Sequence, residues 1–370
     1  MMLGFWHGFG RSGDKLSPFN DKTAMMVSND KMAPGIQWHH LGQAIKAFVL
    51  LVFATIMVPA KSNADVNIEG PNACVECHKE EGELWKNTHH FTTFRSMPRT
   101  KEARKISKKL GIRRLKAESL CLNCHFTTQT KRGKKRVVSG ISCESCHGKG
   151  KRYLEIHSGF SGKKDEKLES KAEEKTRWAK ADKGGMIRPN AVYSVAKNCF
   201  GCHLVPQEKL VNVGGHPPGS EFDLIAWSQG EVRHNVWYSK GKSNKVAAAG
   251  RRRMLYLVGL GVELENSLRA VGFATQRKAF AFKMARRVAD TREKIEILAK
   301  ALPNVPELAQ MVKHGKSAWL TLNNKKALHA AAKKVALETI NLSNRYNGQT
   351  FTAIDRFLPQ SKDFRGKPKK

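Results

Sequence analysis

The chain of 370 residues carries 66 Lys and Arg against 32 Asp and Glu, which gives a formal net charge of +34. Hydrophobic residues make up 40% of it, enough for a sizeable core, so a wholly disordered chain is excluded. No apolar run approaches the roughly eighteen residues of a membrane span, which excludes a polytopic membrane protein. The length corresponds to about two or three domains.

A short apolar run near the N-terminus indicates export. Residues 47–58 are apolar except for one threonine, and Ser62 and Ala64 follow at the −3 and −1 positions of a small-residue cleavage site. The run is too short to span a bilayer comfortably. The layout therefore predicts a signal peptide over residues 1–64. This segment is longer than a signal peptide needs, because the true start of the protein is expected at Met32. An uncleaved membrane anchor is the alternative.

All eight cysteines fall into four pairs, and a histidine follows each pair directly. The cysteines are Cys74 and Cys77, Cys121 and Cys124, Cys143 and Cys146, and Cys199 and Cys202. The histidines that follow them are His78, His125, His147 and His203. This pattern, Cys-x-x-Cys-His, is the attachment signature of c-type haem.

The spacing has a chemical reason. Two thiols on one short turn reach the two vinyl groups of a porphyrin and form thioethers, and the adjacent imidazole is brought under the iron as its proximal ligand. A zinc site needs clustered Cys pairs and no His after each second Cys, and disulfides do not explain the histidines. The sequence therefore predicts four covalently attached haem c groups, with zinc or disulfides as the alternatives.

The four motifs predict a tetrahaem cytochrome c domain over residues 65–235. Each haem has only about forty residues of chain, and a compact domain of this size has a radius of gyration of about 15 Å. Haems confined to that volume lie close to one another and form a chain of one-electron carriers. Electron transfer is therefore the default function.

The second axial position of each iron separates carriers from ligand-binding sites. A His there gives a low-spin bis-histidine haem, whereas an empty position can bind a small ligand. Three histidines follow an attachment motif by a few turns and are predicted as further iron ligands, namely His90, His157 and His216. His234 ranks below them, and His89, His314 and His329 are not predicted as ligands. Three such ligands for four haems leave one haem that is five-coordinate or ligated by His234.

Three stretches in combination resemble the tetrahaem cytochrome c-554 family. They are Trp85 to His90 after the first motif, Gly140 to Gly148 with His157 behind it, and Cys199 to Pro206 followed by Gly215 to Pro217. The resemblance covers residues 70–235. It implies a mainly helical periplasmic protein with stacked haem pairs and three bis-histidine haems. It also implies that the second haem, on Cys121, Cys124 and His125, lacks a distal side-chain ligand.

Members of this family relay electrons from hydroxylamine oxidation in nitrogen metabolism, and two departures weaken the transfer of that role. Residues 163–183 form a charged insertion before the fourth motif, predicted as a solvated helix. Residues 236–253 are predicted as a linker, residues 254–350 as a helical C-terminal region and residues 351–370 as a basic tail. The short family members offer no match for this C-terminal region. The predicted fold class is mainly α, with a multihaem cytochrome c domain followed by these helices.

The sequence thus predicts a periplasmic tetrahaem c-type cytochrome that relays single electrons between redox partners, in nitrogen-compound respiration. Its charge predicts acidic redox proteins or an anionic membrane surface as partners, and its exported location argues against nucleic acid. One alternative is a haem enzyme that reduces or oxidises a small nitrogen or oxygen species at a five-coordinate haem. Another is a structural subunit of an oxidoreductase complex.

Overall fold

The computed structural model describes residues 67–117, 119–131 and 133–368. The predicted signal peptide over residues 1–64 lies outside the described residues. The described chain is mainly helical with one small hairpin, which confirms the predicted mainly α class.

The region that carries the four Cys-x-x-Cys-His motifs, from Pro71 to Ser228, consists of short helices joined by turns. They are α1 (Pro71–Val75), α2 (Lys79–Lys86), α3 (His89–Ser96), α4 (Lys101–Leu110), α5 (Ser119–His125), α6 (Cys143–His147), α7 (Leu154–Ser158), α8 (Lys171–Lys183), α9 (Val192–His203), α10 (Glu208–Asn212) and α11 (Leu224–Ser228). Between α5 and α6, β1 (Thr127–Lys131) and β2 (Lys134–Ser139) pair antiparallel, with Thr128 opposite Val137. Such short elements bury little apolar surface by themselves, so their positions depend on what packs between and around them.

Three attachment motifs lie at the ends of helices. Helices α5, α6 and α9 end at His125, His147 and His203, and His78 of the first motif directly precedes α2. Residues three apart on a helix share one face. The two thiols of each helical motif therefore point to the same side, with the imidazole at the end of the same turn.

Four longer helices form the C-terminal region. They are α12 (Ala249–Phe273), α13 (Ala279–Ala301), α14 (Pro306–Lys316) and α15 (Lys325–Arg345). Helix α12 is buried along most of its length, because α9 and α11 pack against it as well as α13 and α15. At Gly261 of α12 an added Cβ would overlap Thr339, so a side chain there would push α15 away.

One hydrophobic core connects the two regions. It runs from Phe200 of α9 through Leu257 and Leu264 of α12 to Val335 of α15, all of them buried. The motif-carrying region and the C-terminal helices therefore form one packed unit. Helix α12 begins at Ala249, within the stretch predicted as a linker.

The chain after α15 also packs onto α12. Phe351, Ile354 and Leu358 are buried, and Arg253 donates to both carboxylate oxygens of Asp355 at 2.7 Å. The first part of the predicted basic tail is thus held in place. No helix within the described residues has both the length and the apolar character needed to cross a bilayer.

Candidate functional site

The eight cysteines are free thiols in four pairs, as attachment to a porphyrin requires. Among the described residues, no three His, Cys, Asp or Glu side chains gather into a cluster that could hold a metal ion. The motif residues instead meet other parts of the chain in a different pattern, through their histidines.

Each motif histidine faces a second histidine from a distant part of the chain. Ring centroids are 6.4 Å apart for His78 and His157, and 6.4 Å for His125 and His216. They are 6.1 Å apart for His147 and His234, and 6.3 Å for His203 and His90. The four separations agree within a few tenths of an ångström, although the rings come from loops and helices of different kinds.

This separation fits one metal atom between two imidazoles. Two metal–nitrogen bonds of about 2.0–2.1 Å, as found for imidazole on zinc, plus about 1.1 Å from each nitrogen to its ring centre, give about 6.3 Å between centroids. The stacked rings of His203 and Phe222 lie closer, with centroids 4.3 Å apart. The four pairs therefore fit bis-histidine ligation of haem iron.

The outer nitrogens of several ligand imidazoles are anchored to backbone carbonyls. The Nδ1 of His147 lies 2.9 Å from the oxygen of Ile187, and that of His157 lies 2.7 Å from the oxygen of Leu154. For His216 the partner is the oxygen of Pro217 at 2.9 Å, and for His234 it is that of Val232 at 2.7 Å. A carbonyl only accepts, so Nδ1 carries the proton and Nε2 keeps the lone pair that a metal needs.

Burial lowers the pKa of three motif imidazoles, those of His125, His147 and His203, and so favours their neutral form. It lowers the pKa of His125 to about 4 and the pKa of His203 to about 4, with neighbouring histidines adding to the effect. Burial likewise lowers the pKa of His147 and of His90. The neutral imidazole is the form that binds iron, so the fold presents these side chains ready for ligation.

Neighbouring groups fix the positions of the distal histidines His90 and His157. Thr88 caps α3 and so fixes the turn that carries His90, whose carbonyl accepts from the backbone N–H of Ile141 at 2.9 Å. Arg177 of α8 donates to the carbonyl of His157 at 2.7 Å. The charged insertion predicted as a solvated helix therefore also positions a candidate ligand, through its one buried arginine.

The insertion holds Arg177 through a buried ion pair. Its Nε donates to both carboxylate oxygens of Glu169, at 2.8 and 2.9 Å. This pairing directs Nη1 toward α7, where His157 lies. Charge periodicity predicted the helix. It did not predict that the Arg177 guanidinium is buried, because that depends on the packing of this segment against α7.

The structure brings the three predicted distal histidines opposite motif histidines and adds a fourth. His234, ranked lower in the sequence, faces His147 of the third motif. His216 faces His125 of the second motif, the motif for which the family resemblance implied no distal side chain. His89, by contrast, is exposed and contacts Glu231, and neither His314 nor His329 contacts a motif histidine. In the sequence, His234 was indicated only by the fact that four motifs had three predicted distal ligands.

The four motifs are adjacent in the order first, third, fourth, second. Cys74 and Cys143 share a hydrogen bond that raises the pKa of the Cys74 thiol. Asn198, next to the fourth motif, donates to the carbonyl of Cys146 at 2.9 Å. The Cys202 thiol lies 3.7 Å from the carbonyl of Asn123, inside the second motif.

These features are typical of c-type cytochromes: helical turns that carry paired thiols, each with an imidazole opposed by a second imidazole. Residues 73–148 match the family model described as cytochrome c554 and c-prime. The chain is also 28% identical over 149 residues to cytochrome c-554 of Nitrosomonas europaea. The alignment covers 38% of this chain and 59% of that relative. No solved structure matches the chain.

The resemblance to the cytochrome c-554 family is thereby confirmed over this part of the chain. It supports a c-type cytochrome with covalently bound haem c, a class of electron carriers. All four pairs extend beyond the family-model match, since each has one member, His157, His216, His234 or His203, outside residues 73–148.

Proposed function

We propose that this protein is a tetrahaem c-type cytochrome that relays single electrons between redox partners. The observation that carries the proposal is the set of four imidazole pairs, each with ring centroids 6.1 to 6.4 Å apart. A haem with two imidazole ligands is low-spin and exchanges electrons without binding a substrate. Nitrogen-compound respiration in the periplasm is the setting that the family resemblance and the export signal suggest.

The residues have separate tasks in such a relay. The Cys pairs would tether the haems and the paired histidines would hold the irons, while haem c would supply reversible one-electron chemistry. The adjacent motifs suggest a path from the first through the third and fourth to the second.

The four imidazole pairs argue against the enzyme alternative. Reduction or oxidation of a small nitrogen or oxygen species needs an iron with an empty distal position. His216 opposite His125 and His234 opposite His147 disfavour such a position on either candidate haem.

The haem count and coordination are testable on holoprotein matured in a host competent for cytochrome c assembly. We expect about four haems per chain, measured as pyridine haemochrome against protein mass, because each signature attaches one haem. Low-temperature EPR of the ferric protein should then show only low-spin signals. A high-spin signal in the wild type would favour the enzyme, and fewer than four haems would contradict the relay as proposed.

An acidic redox protein is the partner we propose, with its docking surface beside the second motif. Residues 101–116 hold eight Lys or Arg and one Glu, and all eight basic side chains are exposed. Helix α4 packs against the loop before His216, since an added Cβ on Gly214 would meet Ile106 at 3.2 Å and Leu110 at 3.0 Å. The first motif lacks this charge, because residues 69–86 hold five acidic and two basic side chains.

We expect the double variant Lys105→Glu/Lys108→Glu to slow reduction by an acidic plant-type ferredoxin. At low ionic strength the bimolecular rate in stopped flow should fall about tenfold, because electrostatic steering raises association rates by one to three orders of magnitude. The difference should vanish near 1 M salt, where the Debye length is about 3 Å.

The matched control is Lys333→Glu/Lys334→Glu, which makes the same change of charge at exposed positions of α15. It should slow the reaction by less than about twofold, because these lysines do not belong to the surface beside the second motif. Equal slowing by the two double variants would show that net charge alone governs docking and would remove the proposed surface.

A further inference from the structure

The segment that carries His216, residues 208–220, is attached at its beginning to the connection between α12 and α13. Both carboxylate oxygens of Glu208 accept hydrogen bonds there. One accepts from the backbone N–H and the hydroxyl of Thr275, at 2.9 and 2.7 Å. The other accepts from the backbone N–H of Gln276 at 3.0 Å and from the side chain of Asn212 at 3.2 Å.

Asn212, at the end of α10, in turn caps α13. Its Oδ1 accepts from the backbone N–H of Phe280 at 3.1 Å. Lys278, the residue at the N-cap position of α13, provides no side-chain cap of its own. The unpaired N–H groups at the start of a helix need such acceptors, so α10 and α13 complete each other.

Backbone hydrogen bonds carry this attachment onward to His216. The N–H of Gly214 donates to Lys209 at 3.1 Å, that of Gly215 to Val211 at 3.0 Å and that of His216 to Leu210 at 3.1 Å. Gly215 has φ +76°, a left-handed conformation that glycine adopts without strain and that lets the chain double back. The imidazole is therefore coupled to α10 through three successive residues.

The same segment is attached again after His216, by α13. Arg287 donates from Nη2 to the carbonyl of Ser220 at 2.6 Å and from Nη1 to Glu263 of α12 at 2.7 Å. Arg287 and Glu263 are both buried, which makes this a firm connection. The loop that presents His216 thus begins and ends on the C-terminal helices.

We propose that helices α12 and α13 act as a clamp that positions His216 on the iron held by His125 and keeps the second haem closed to small ligands. Glu208 is the principal positioning residue of this clamp. The inference rests on the proposed haem relay and assigns a role to the C-terminal region, which the family match does not cover.

The test compares Glu208→Ala with Glu307→Ala in the holoprotein. Glu307 is a buried carboxylate of α14 that accepts from Arg345 at 2.8 Å, so its loss perturbs the C-terminal helices without touching the His216 segment. In Glu208→Ala, ligation by His216 should weaken about tenfold or more, because several hydrogen bonds are lost together. A high-spin ferric signal and an azide-dependent Soret shift should appear in that variant only.

Glu208→Gln provides a milder second variant, since its amide keeps one acceptor and places a donor against Thr275. It should give a smaller high-spin share than Glu208→Ala, at a thermal midpoint close to that of the wild type. Four low-spin haems in the wild type together with unchanged spectra in both Glu208 variants would overturn the clamp and leave the relay standing. A high-spin haem already present in the wild type would instead count against the closed second haem itself.

Discussion

Replacement of His216 by alanine is expected to convert one of the four low-spin haems into a five-coordinate, high-spin haem. The imidazole lies 6.4 Å from that of His125, a separation that fits one shared iron, and the loop around it offers no second imidazole to that motif. About one quarter of the haem should become high-spin in ferric EPR, and the reduced protein should bind carbon monoxide at about one site per chain.

The variant His89→Ala is the control. His89 is a histidine of the same domain, next to a candidate ligand, yet its side chain is 89% exposed and bonded to Glu231 rather than facing a motif. Its removal should leave all four haems low-spin. If His216→Ala also keeps four low-spin haems, then another side chain ligates the second iron, and the pairing of His125 with His216 is wrong.

Removal of the Glu144 carboxylate is expected to lower the free energy of unfolding by about 3–5 kcal/mol, since hydrogen bonds to a charged group contribute about 1.5–3 kcal/mol each and are not fully additive. Glu144 lies inside the third motif and is buried. It accepts from the backbone N–H groups of Glu69 at 3.0 Å, Gly70 at 2.8 Å and Gly150 at 2.7 Å. Alanine would leave three donors without partners between the first and third motifs.

Denaturant unfolding of the holoprotein, followed by the Soret band, measures this loss. The matched control is Glu76→Ala, because Glu76 is also an interior residue of an attachment motif but is exposed and accepts no such bonds. It should change stability by less than about 0.5 kcal/mol. Equal stabilities for the two variants would mean that Glu144 does not connect the first and third motifs.

Attachment chemistry could be predicted from the sequence because it depends on a local spacing. Two thiols and an imidazole within five residues identify a haem site without any knowledge of the fold. Local context also selected His90, His157 and His216, and the structure places each of them opposite a motif histidine. Helical periodicity likewise predicted the long C-terminal helices.

The assignment of partners could not be predicted, because it depends on contacts between distant segments. His216 follows the fourth motif in the chain but faces the second, and His90 follows the first but faces the fourth. The sequence around His234 does not mark it as an iron ligand. It lies in a loop that is held by Asn244, whose side chain donates to the carbonyl of Arg233 at 2.8 Å. Only its position opposite His147 in the structure indicates that it is a candidate iron ligand.

The family resemblance predicted an open second haem, whereas the proposed ligation by His216 would close it, and that proposal rests on residues outside the matched segment. The loop that presents His216 is hydrogen-bonded to α13 through Asn212 and Arg287, in a region that the family match does not reach. The attachment motif determines where haem is bound, whereas the elements packed around the motif determine which groups can reach the iron.

The sequence by itself determined how haem is attached, the helical class and the strong positive charge, because each of these depends on residue type and short-range spacing. The tertiary structure alone decided which imidazoles face each other, the order of the motifs and the packing of the C-terminal helices against them. The physical reason is that an iron ligand must be placed to within a fraction of an ångström. Such precision comes from buried hydrogen bonds and packing between segments remote in the chain, as at Glu208 and Arg287.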